Sequence, residues 1–415
     1  MNLSIWRFLL AALLMMCIGL LGVSCSHSFK GAAKGSLATG HAGAVPNASH
    51  MPKDRDANAT LTDAADDGDV DRVKALIAAH VNVNAKDEDG YTALLYAARG
   101  CNAPCVKALI SAGANVNVTD KWGNTALMGA AEGGNVDCVN ALIAANAAVN
   151  AKNTGERFSN SSLTDTRDRT ALMEAASTDH ADCVRALIAA NADVNGKDSQ
   201  GSTPLMDAAR LGYVNPLKAL IAAHADVNAS DWDHYQWITS SLNIQPNPHV
   251  PGGSTALKYA AQCGYPDCVK ALIAAGAHIN AMDKEGTTAL LAAAEGLEAH
   301  GGQSGCLQAL IAAGAGVNVR DSDGVTPLMY AVGHGGLDDI AALIAAHADV
   351  NAKAKVGTTA LMEAAKTGYT PYVKVLIAAG ADVHVKDRHG ATALQMAKQN
   401  GHTYVVKALE SAGAK

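Results

Sequence analysis

Residues 283–318 read DKEGTTALLAAAEGLEAHGGQSGCLQALIAAGAGVN, and the elements of this stretch recur along most of the chain. The recurring elements here are Gly286, Thr288-Ala289-Leu290, Leu310-Ile311 and the run from Gly314 to Asn318. An alignment on the threonine gives these positions: Thr92, Thr125, Thr170, Thr203, Thr255, Thr288, Thr326, Thr359 and Thr392. Their spacings are 33, 45, 33, 52, 33, 38, 33 and 33, so a unit of 33 residues carries insertions of 12, 19 and 5 residues. Ala59 lies 33 residues before Thr92 and begins a degenerate first unit.

The repeated residues predict a pair of short helices in each unit. Thr203-Pro204 places a hydroxyl cap before a proline at the first helical position, where a missing N–H costs nothing. Ala97-Ala98 and its equivalents keep the first helix thin, so neighbouring units approach closely. In the second helix, a spacing of three and four residues places Val106, Leu109 and Ile110 on one buried stripe.

The 33-residue pattern resembles the ankyrin repeat, with Gly-x-Thr-Pro-Leu, Ala-Ala, a pair of Leu-like residues and Gly-Ala-Asp-Val-Asn. The resemblance covers residues 59–415, although Ala replaces Pro in most units and Asp168-Arg169-Thr170 lacks the glycine. It implies an all-α repeat solenoid of about ten units, each a helix-turn-helix with a β-hairpin finger. It also implies a protein-binding scaffold, with no catalytic residues and no cofactor.

The residues at the helix exits predict a left-handed backbone. Glycine follows the second helix in several units, as at Gly113 and Gly314, and asparagine or histidine stands there in others. The latter are His80, Asn146, Asn191, His224 and His347. All three residue types tolerate this conformation, so the histidines are interpreted as helix-end residues and not as metal ligands.

Five cysteines occupy one position of the unit, where the ankyrin family usually carries Ile or Val: Cys105, Cys138, Cys183, Cys268 and Cys306. Because adjacent helices pack 8–10 Å apart, beyond the reach of a disulfide, this cysteine ladder is predicted to be core packing. Cys101 and Cys263 lie at turns within their units. Disulfides Cys101–Cys105 and Cys263–Cys268 are the alternative in an oxidising compartment.

The N-terminus has the features of an export signal. Arg7 precedes an apolar run of 16 residues from Phe8 to Val23, which is short for a membrane span. The end of the run, Leu21 to Cys25, resembles a bacterial lipoprotein box in which Cys25 becomes the lipid-modified first residue, although Gly22 stands where Leu is usual. Plain cleavage and an uncleaved anchor are the alternatives. Ser26 resembles the outer-membrane sorting class, so an outer-membrane lipoprotein or a periplasmic protein is expected.

The chain is accordingly predicted to have three parts. Residues 1–25 form the signal peptide, residues 26–58 a flexible linker with few bulky apolar residues, and residues 59–415 the ankyrin repeat domain. The array itself is expected to be a monomer and to contact the membrane only through the signal or its lipid.

The large aromatic residues of the array indicate where a partner binds. Ankyrin-family proteins usually bind through finger loops and the concave face of the first helices. Aromatic residues that would lie on fingers or finger insertions, and which we predict to contact a partner, are Tyr91, Trp122, Phe158, Trp232, Tyr235 and Trp237. The alternative is that the aromatics of the Trp232–Gly253 insertion pack against its own base.

Charge and motifs exclude other classes of function. A net charge of −7, without clustered Lys and Arg, argues against nucleic-acid binding. The ends of the first helices carry both signs, which favours a protein partner: Arg99, Glu132, Arg210, Glu295 and Lys366. No phosphate loop, metalloprotease motif or nucleophile elbow is present. Two alternatives stay open: a thiol- or metal-buffering, stress-protective role in the envelope, and a secreted effector that binds host proteins.

Overall fold

The computed structural model describes residues 54–154, 167–232, 251–296 and 305–415, and within them the chain forms ten consecutive helix pairs. We number the pairs as units 1 to 10. The first helices are α1 Asp54–Asp66, α3 Ala93–Arg99, α5 Ala126–Glu132, α7 Ala171–Ala176, α9 Pro204–Leu211, α11 Ala256–Gln262, α13 Ala289–Glu295, α15 Pro327–His334, α17 Ala360–Thr367 and α19 Ala393–Gln399. The second helices are α2 Val70–Ala78, α4 Ala103–Ser111, α6 Val136–Ala144, α8 Ala181–Ala189, α10 Val214–Ala222, α12 Pro266–Ala274, α14 Gly305–Ala312, α16 Leu337–Ala345, α18 Thr370–Ala378 and α20 Thr403–Ser411. The predicted all-α solenoid is confirmed.

The repeated threonine caps each first helix from α3 to α19, as its position predicts. The Oγ1 atom of Thr125, for example, accepts the backbone N–H of Met128 at 3.2 Å. Pro204 and Pro327 occupy the first helical position of α9 and α15. A cap supplies an acceptor to one of the N–H groups that a helix start leaves without a partner, which stabilises short helices of this kind by about 1 kcal/mol each.

The core lies between the units and runs along the whole array. Each first helix packs against the first helices of the units before and after it, and the second helices do the same. The alanine pairs are completely buried, as at Ala97 and Ala98, and so are Val106 and Leu109 on the stripe of the second helix. Because each unit contacts only its neighbours, stability is distributed along the array and is not concentrated in one centre.

Side-chain ladders join consecutive units on the outside of this core. The Oδ1 atom of Asn117 accepts the backbone N–H of Ala148 at 2.7 Å, and its Nδ2 atom donates to the carbonyl of Asn146 at 3.3 Å. A second ladder uses cations: Nζ of Lys152 donates to the carbonyl of Lys197 at 2.7 Å. The same pair of positions is joined at Lys86–Thr119, Lys197–Ser230 and Arg320–Lys353.

The helix exits have the predicted backbone. His80, Asn146, Asn191, His224 and His347 all have φ between 60° and 65°, and Gly113, Gly276, Gly314 and Gly380 also have positive φ. The histidines are therefore helix-end residues. In the part of the chain that the structure describes, no three His, Cys, Asp or Glu side chains are grouped so that they could hold a metal ion.

The two ends of the array differ from the interior. Helix α1 begins at Asp54, so the last residues of the predicted linker 26–58 are helical. In unit 10, Lys398 and Glu410 replace apolar residues of the repeat, and Nζ of Lys398 lies 3.1 Å from Oε1 of Glu410 with both side chains about half exposed.

Strands are sparse. Within the described residues, β1 (Ser230–Trp232) and β2 (Pro251–Thr255) form one antiparallel pair, and Thr119 and Thr125 form an isolated bridge. The other described fingers are tight turns, not the β-hairpins that the ankyrin resemblance implies. No helix in the four described segments combines the length and apolarity that crossing a membrane requires.

Candidate interaction surface

Most of the described fingers are held by an aspartate at the base. In the finger before unit 3, Oδ1 of Asp120 accepts the backbone N–H groups of Trp122 at 2.9 Å and Asn124 at 2.8 Å. The Asp120 N–H in turn donates to the carbonyl of Asn124, and Gly123 takes a left-handed φ of 79°. The same aspartate-to-backbone pattern closes the fingers at Asp87, Asp198, Asp321 and Asp387. The finger tips are therefore rigid turns, because an aspartate side chain that bonds to nearby backbone stabilises a turn.

Two of the predicted contact residues meet on neighbouring fingers. The Tyr91 and Trp122 rings are 6.2 Å apart in an edge-to-face arrangement, and the Lys121 ammonium lies 4.5 Å from the Trp122 ring centre. A third ring, Tyr96 in α3, lies 5.1 Å from Tyr91. Trp122 and Tyr91 are both partly exposed, so they form one aromatic surface across the fingers before units 2 and 3.

Sequence reasoning did not include Tyr96. Its hydroxyl group donates to Oδ2 of Asp87 at 2.8 Å, and burial together with this bond raises its pKa to about 12. The signal was available, because tyrosine recurs at the fourth residue after the capping threonine at Tyr96, Tyr259 and Tyr330. Tyr259 and Tyr330 likewise donate to the finger aspartates Asp231 and Asp321.

Trp232 packs partly on its own array. Its backbone N–H donates to the carbonyl of Gln200 at 2.9 Å in the preceding finger. A Cβ added at Gly201 would lie 2.7 Å from the Trp232 ring, so the ring rests against a glycine. Trp232 nevertheless stays 38% exposed. It therefore has one face on the scaffold and one face open to a partner.

The remaining predicted contact residues, Phe158, Tyr235 and Trp237, lie outside the described residues, as does the predicted lipid attachment site Cys25. The five-residue insertion within unit 7 also falls largely outside them. The two longer insertions belong to fingers whose bases are described.

Both long insertions start and end at a normal finger base. Asn153 takes the place of the aspartate, and its Oδ1 atom accepts the backbone N–H of Arg169 at 2.9 Å on the far side of the first insertion. Asp168, which stands where other units have glycine, has φ of 62° and so adopts the left-handed backbone conformation that those glycines have. At the second insertion, Oδ1 of Asp231 accepts the N–H of Ser254 at 3.0 Å. The insertions therefore leave the stacking of the units unchanged.

A charged cluster lies on the groove face, which we define as the surface formed by the finger bases and the exposed sides of the first helices. Arg169 is at its centre: Nη1 lies 2.9 Å from Oδ2 of Asp207 and 3.7 Å from Oδ2 of Asp198, and Nε lies 3.0 Å from Oε1 of Glu174. Burial alone would lower the pKa of Arg169, but these carboxylates, Asp207 first, more than offset it and the pKa is raised. Burial, and then the charge of Asp207, raise the pKa of Asp198 to about 6.

The cluster continues into the next units. The Nη2 atom of Arg210 lies 2.9 Å from Oδ1 of Asp207, and the Arg210 guanidinium group lies 5.9 Å from the ring centre of Tyr259. Lys258 pairs with Asp283 in the finger before unit 7. The sequence predicted Arg210 on this face but not Arg169. The residues Asp168-Arg169 were interpreted only as a departure from the repeat pattern.

The other charges predicted for this face are also at the surface. Arg99, Glu295 and Lys366 are exposed, and Glu132 and Arg210 are partly exposed. The mixture of signs that favours a protein partner is therefore confirmed for the described residues.

The groove face has a cavity of about 140 Å³ between units 2 and 4. Its floor is formed by Leu95, Met128 and Gly129, and Tyr91 stands at its finger side. Carboxylates and guanidinium groups also line it, those of Arg99, Asp120, Glu132, Arg169 and Glu174, together with the neutral polar residues Asn124, Thr125 and Asn153. A second cavity, of about 470 Å³, lies at the opposite edge of the array around His180 and Asp182.

The cysteine ladder is buried as predicted: Cys105, Cys138, Cys183 and Cys268 have no exposed surface, and Cys306 is 2% exposed. Burial raises the pKa of Cys138 and Cys306 to about 12. Cys101, Cys105, Cys263 and Cys268 are free thiols in the structure. The Cys101 side chain is directed at Gly133 of the next unit and not along its own unit toward Cys105, which does not favour the Cys101–Cys105 alternative.

The match to one family model agrees with this architecture. A family model described as "Ankyrin repeats (3 copies)" matches residues 61–153, 156–231, 236–300, 257–354, 296–387 and 335–415. Among solved structures, the chain is similar to the human ASB11 ankyrin repeat domain, with 25% identity and a TM-score of 0.49, over 62% of this chain and 98% of that one. No curated protein sequence matches the chain.

Proposed function

The chain belongs to the ankyrin repeat family, and from that premise we propose that it is an exported, membrane-tethered monomeric scaffold that binds a protein partner through its fingers and groove face. Ankyrin repeats are in general protein-interaction modules and non-enzymatic.

The observation that carries the proposal is the pair of aromatic rings held on rigid fingers. Tyr91 and Trp122 are partly exposed, yet their turns are fixed because the carboxylates of Asp87 and Asp120 accept hydrogen bonds from backbone N–H groups. A rigid aromatic side chain loses little conformational entropy when a partner covers it, which is why Trp and Tyr dominate interface energetics. Trp232, with one face open, adds a second such position further along the array.

The test is crosslinked capture of the full chain from its own cell envelope. The double variant Tyr91→Ala/Trp122→Ala is compared with Tyr404→Ala, which removes a more exposed aromatic residue, 77% exposed, from α20. Loss of a specific partner only in the finger variant supports the proposal. Equal capture by both variants, or no specific capture by the unaltered chain, contradicts it. A third variant lacking residues 233–250 tests whether the Trp232 finger contributes.

The membrane tether rests on a separate observation, the resemblance of Leu21–Cys25 to a lipoprotein box. We expect metabolic labelling with a fatty acid to mark the chain, and Cys25→Ser to lose the label and move the protein from the membrane fraction to the soluble fraction. Labelling that persists in Cys25→Ser would exclude this site of attachment.

The thiol-buffering alternative has no support from the geometry of the ladder. A reactive thiol needs a lowered pKa and access to solvent, and the ladder thiols have neither.

A further inference from the structure

The cavity on the groove face exists because one unit has no side chain at a position where its neighbours do. Gly129 is the fourth residue after the capping Thr125. The same position holds Tyr96 in the unit before and Glu174 in the unit after, and tyrosine again in units 6 and 8. Gly129 lines the cavity together with Glu174 of the next unit, and no side chain at position 129 fills it.

The backbone does not require glycine here. Gly129 lies within α5 and does not have a positive φ, and a Cβ added to it would meet its nearest neighbour, Arg99, at an ordinary 3.5 Å. A side chain at this position would be compatible with the helix and would occupy the cavity.

Neighbouring parts of the groove face already hold guanidinium groups of the chain itself. In units 4 and 5, guanidinium groups of the chain lie between the first helices. Arg169 is clamped by Glu174 and Asp207, and Arg210 lies between Asp207 and the Tyr259 ring. Arg169 is held by carboxylates of two first helices, and Arg210 by a carboxylate of its own first helix and an aromatic ring of the next.

The cavity over Gly129 offers the same combination of groups. Tyr91 supplies an aromatic ring, and Glu132 and Glu174 supply carboxylates on the side of the first helices. Three carboxylates line the cavity, those of Asp120, Glu132 and Glu174, against the two guanidinium groups of Arg99 and Arg169. Arg169 is itself surrounded by further carboxylates. The local charge thus favours a cation.

We propose that the cavity over Gly129 binds an arginine side chain of the protein partner. The methylene groups would lie on Leu95 and Met128, and the guanidinium group would lie beside Tyr91 and face Glu132. A planar guanidinium group suits this site better than an ammonium group, because it stacks on an aromatic ring and bonds to a carboxylate at the same time. The inference rests on the proposed function, since it names an anchor residue of the partner.

The test uses the peptide acetyl-Gly-Arg-Gly-amide as the probe and the ¹³C-methyl resonance of Met128 in the full chain as the readout. Met128 is 3% exposed and forms the cavity floor, and Met128→Leu assigns its signal. We expect a saturable shift with a dissociation constant on the order of 1 mM, weaker binding of the lysine peptide, and no shift with norleucine or glutamate peptides.

Two variants locate the binding. Gly129→Tyr introduces the residue that three other units carry at this position, so it fills the cavity without departing from the repeat, and circular dichroism verifies its fold. It should abolish the shift. The matched control, Met396→Tyr, makes the same change at the equivalent position of unit 10 and should leave binding unchanged. A shift that persists in Gly129→Tyr, or that norleucine reproduces, overturns the inference.

The outcome is separable from that of the proposed function. If Gly129→Tyr captures the partner as well as the unaltered chain does, the arginine anchor is wrong and the scaffold proposal stands. If the unaltered chain captures no partner but binds the arginine peptide at Met128, the cavity assignment stands and the scaffold proposal fails.

Discussion

Nη1 of Arg169 lies 2.9 Å from Oδ2 of Asp207, so a guanidinium group from the finger base of unit 4 is buried against a carboxylate of the first helix of unit 5. The two side chains are 12% and 1% exposed. Removing one partner of such a pair leaves the other charge desolvated, which costs more than the pair itself contributes.

We therefore expect Arg169→Met to lower the free energy of unfolding by about 3 kcal/mol. Arg210 and Ser202 still bond to Asp207, but Glu174 and Asp198 lose their cationic partner, and Asp198 keeps only its bonds from backbone N–H groups. Urea unfolding followed by circular dichroism measures the change. The control is Arg185→Met, which breaks the exposed pair with Asp182 and should cost less than about 1 kcal/mol. Equal losses in the two variants would show that Arg169 is not a structural centre.

Asp339 occupies the ladder position that holds cysteine in five other units. It is 1% exposed and its Oδ1 atom has no hydrogen-bond partner, while Oδ2 accepts the backbone N–H of Gly336. Burial, and secondarily the charge of Asp338, raise its pKa above the usual 3.9 or so of an unfolded chain. The folded state therefore favours the protonated form more than the unfolded chain does.

Asp339→Cys should accordingly stabilise the protein at pH 7 by about 1 kcal/mol or more, since it removes a buried carboxylate without a full set of partners. Because the pKa of Asp339 is higher in the folded state, the folded protein loses stability relative to the unfolded chain as pH rises from the unfolded pKa through the folded pKa. The advantage of the variant should thus be small near pH 3 and grow as pH rises. Melting temperatures across that range measure it, and Asp338→Asn, on the exposed side of α16, provides the control. A constant difference at all pH values would contradict the linkage.

Gly123 and Gly390 occupy the same finger position, with φ of 79° and 78°. A Cβ on Gly123 would lie 2.7 Å from the backbone nitrogen of Thr154, whereas a Cβ on Gly390 would meet nothing within 4 Å. Gly390→Ala should therefore lower the free energy of unfolding by about 1 kcal/mol, because only the strain of alanine in a left-handed conformation opposes it. Gly123→Ala should lower it by about 2 kcal/mol or more. Thermal unfolding of the two variants compares them directly. If both lose the same stability, contact between successive fingers is not what requires Gly123.

The thiols should react in two classes. With a pKa of about 12, the thiolate fraction of Cys138 or Cys306 at pH 8 is on the order of 10⁻⁴, and both side chains are buried. Cys101 and Cys263 are half-buried and should be alkylated first in the folded protein. Peptide mapping after timed iodoacetamide treatment, with and without urea, resolves the classes. Rapid alkylation of the ladder cysteines in the folded protein would reopen the thiol-buffering alternative.

The sequence was sufficient for the fold because each position of the repeat acts locally. A threonine cap, an alanine pair and a glycine or histidine exit depend only on residues within a few positions, and the 33-residue period then places the units side by side. His80 and Asn146 could be assigned a left-handed backbone on residue type alone, and both have it.

The candidate site was predictable only in part. The period places Tyr91 and Trp122 on neighbouring fingers, but it does not say that their rings meet. The Arg169 cluster depends on a single residue directly before the capping Thr170, a position where no other unit carries arginine. The cavity depends on a missing side chain at Gly129, and an absence of this kind is visible only when the neighbouring side chains are placed in space.

The finger bases at Asn153 and Asp231 have a consequence for how the protein can change. One side-chain oxygen closes each loop onto a backbone N–H that follows the insertion, at Arg169 and at Ser254, and this closure does not depend on the length of the chain between them. Residues 155–166 and 233–250 can therefore be regarded as interchangeable cassettes. The protein could acquire a new binding preference by replacing one of them, while the helices, the caps and the ladders that hold the array together stay as they are.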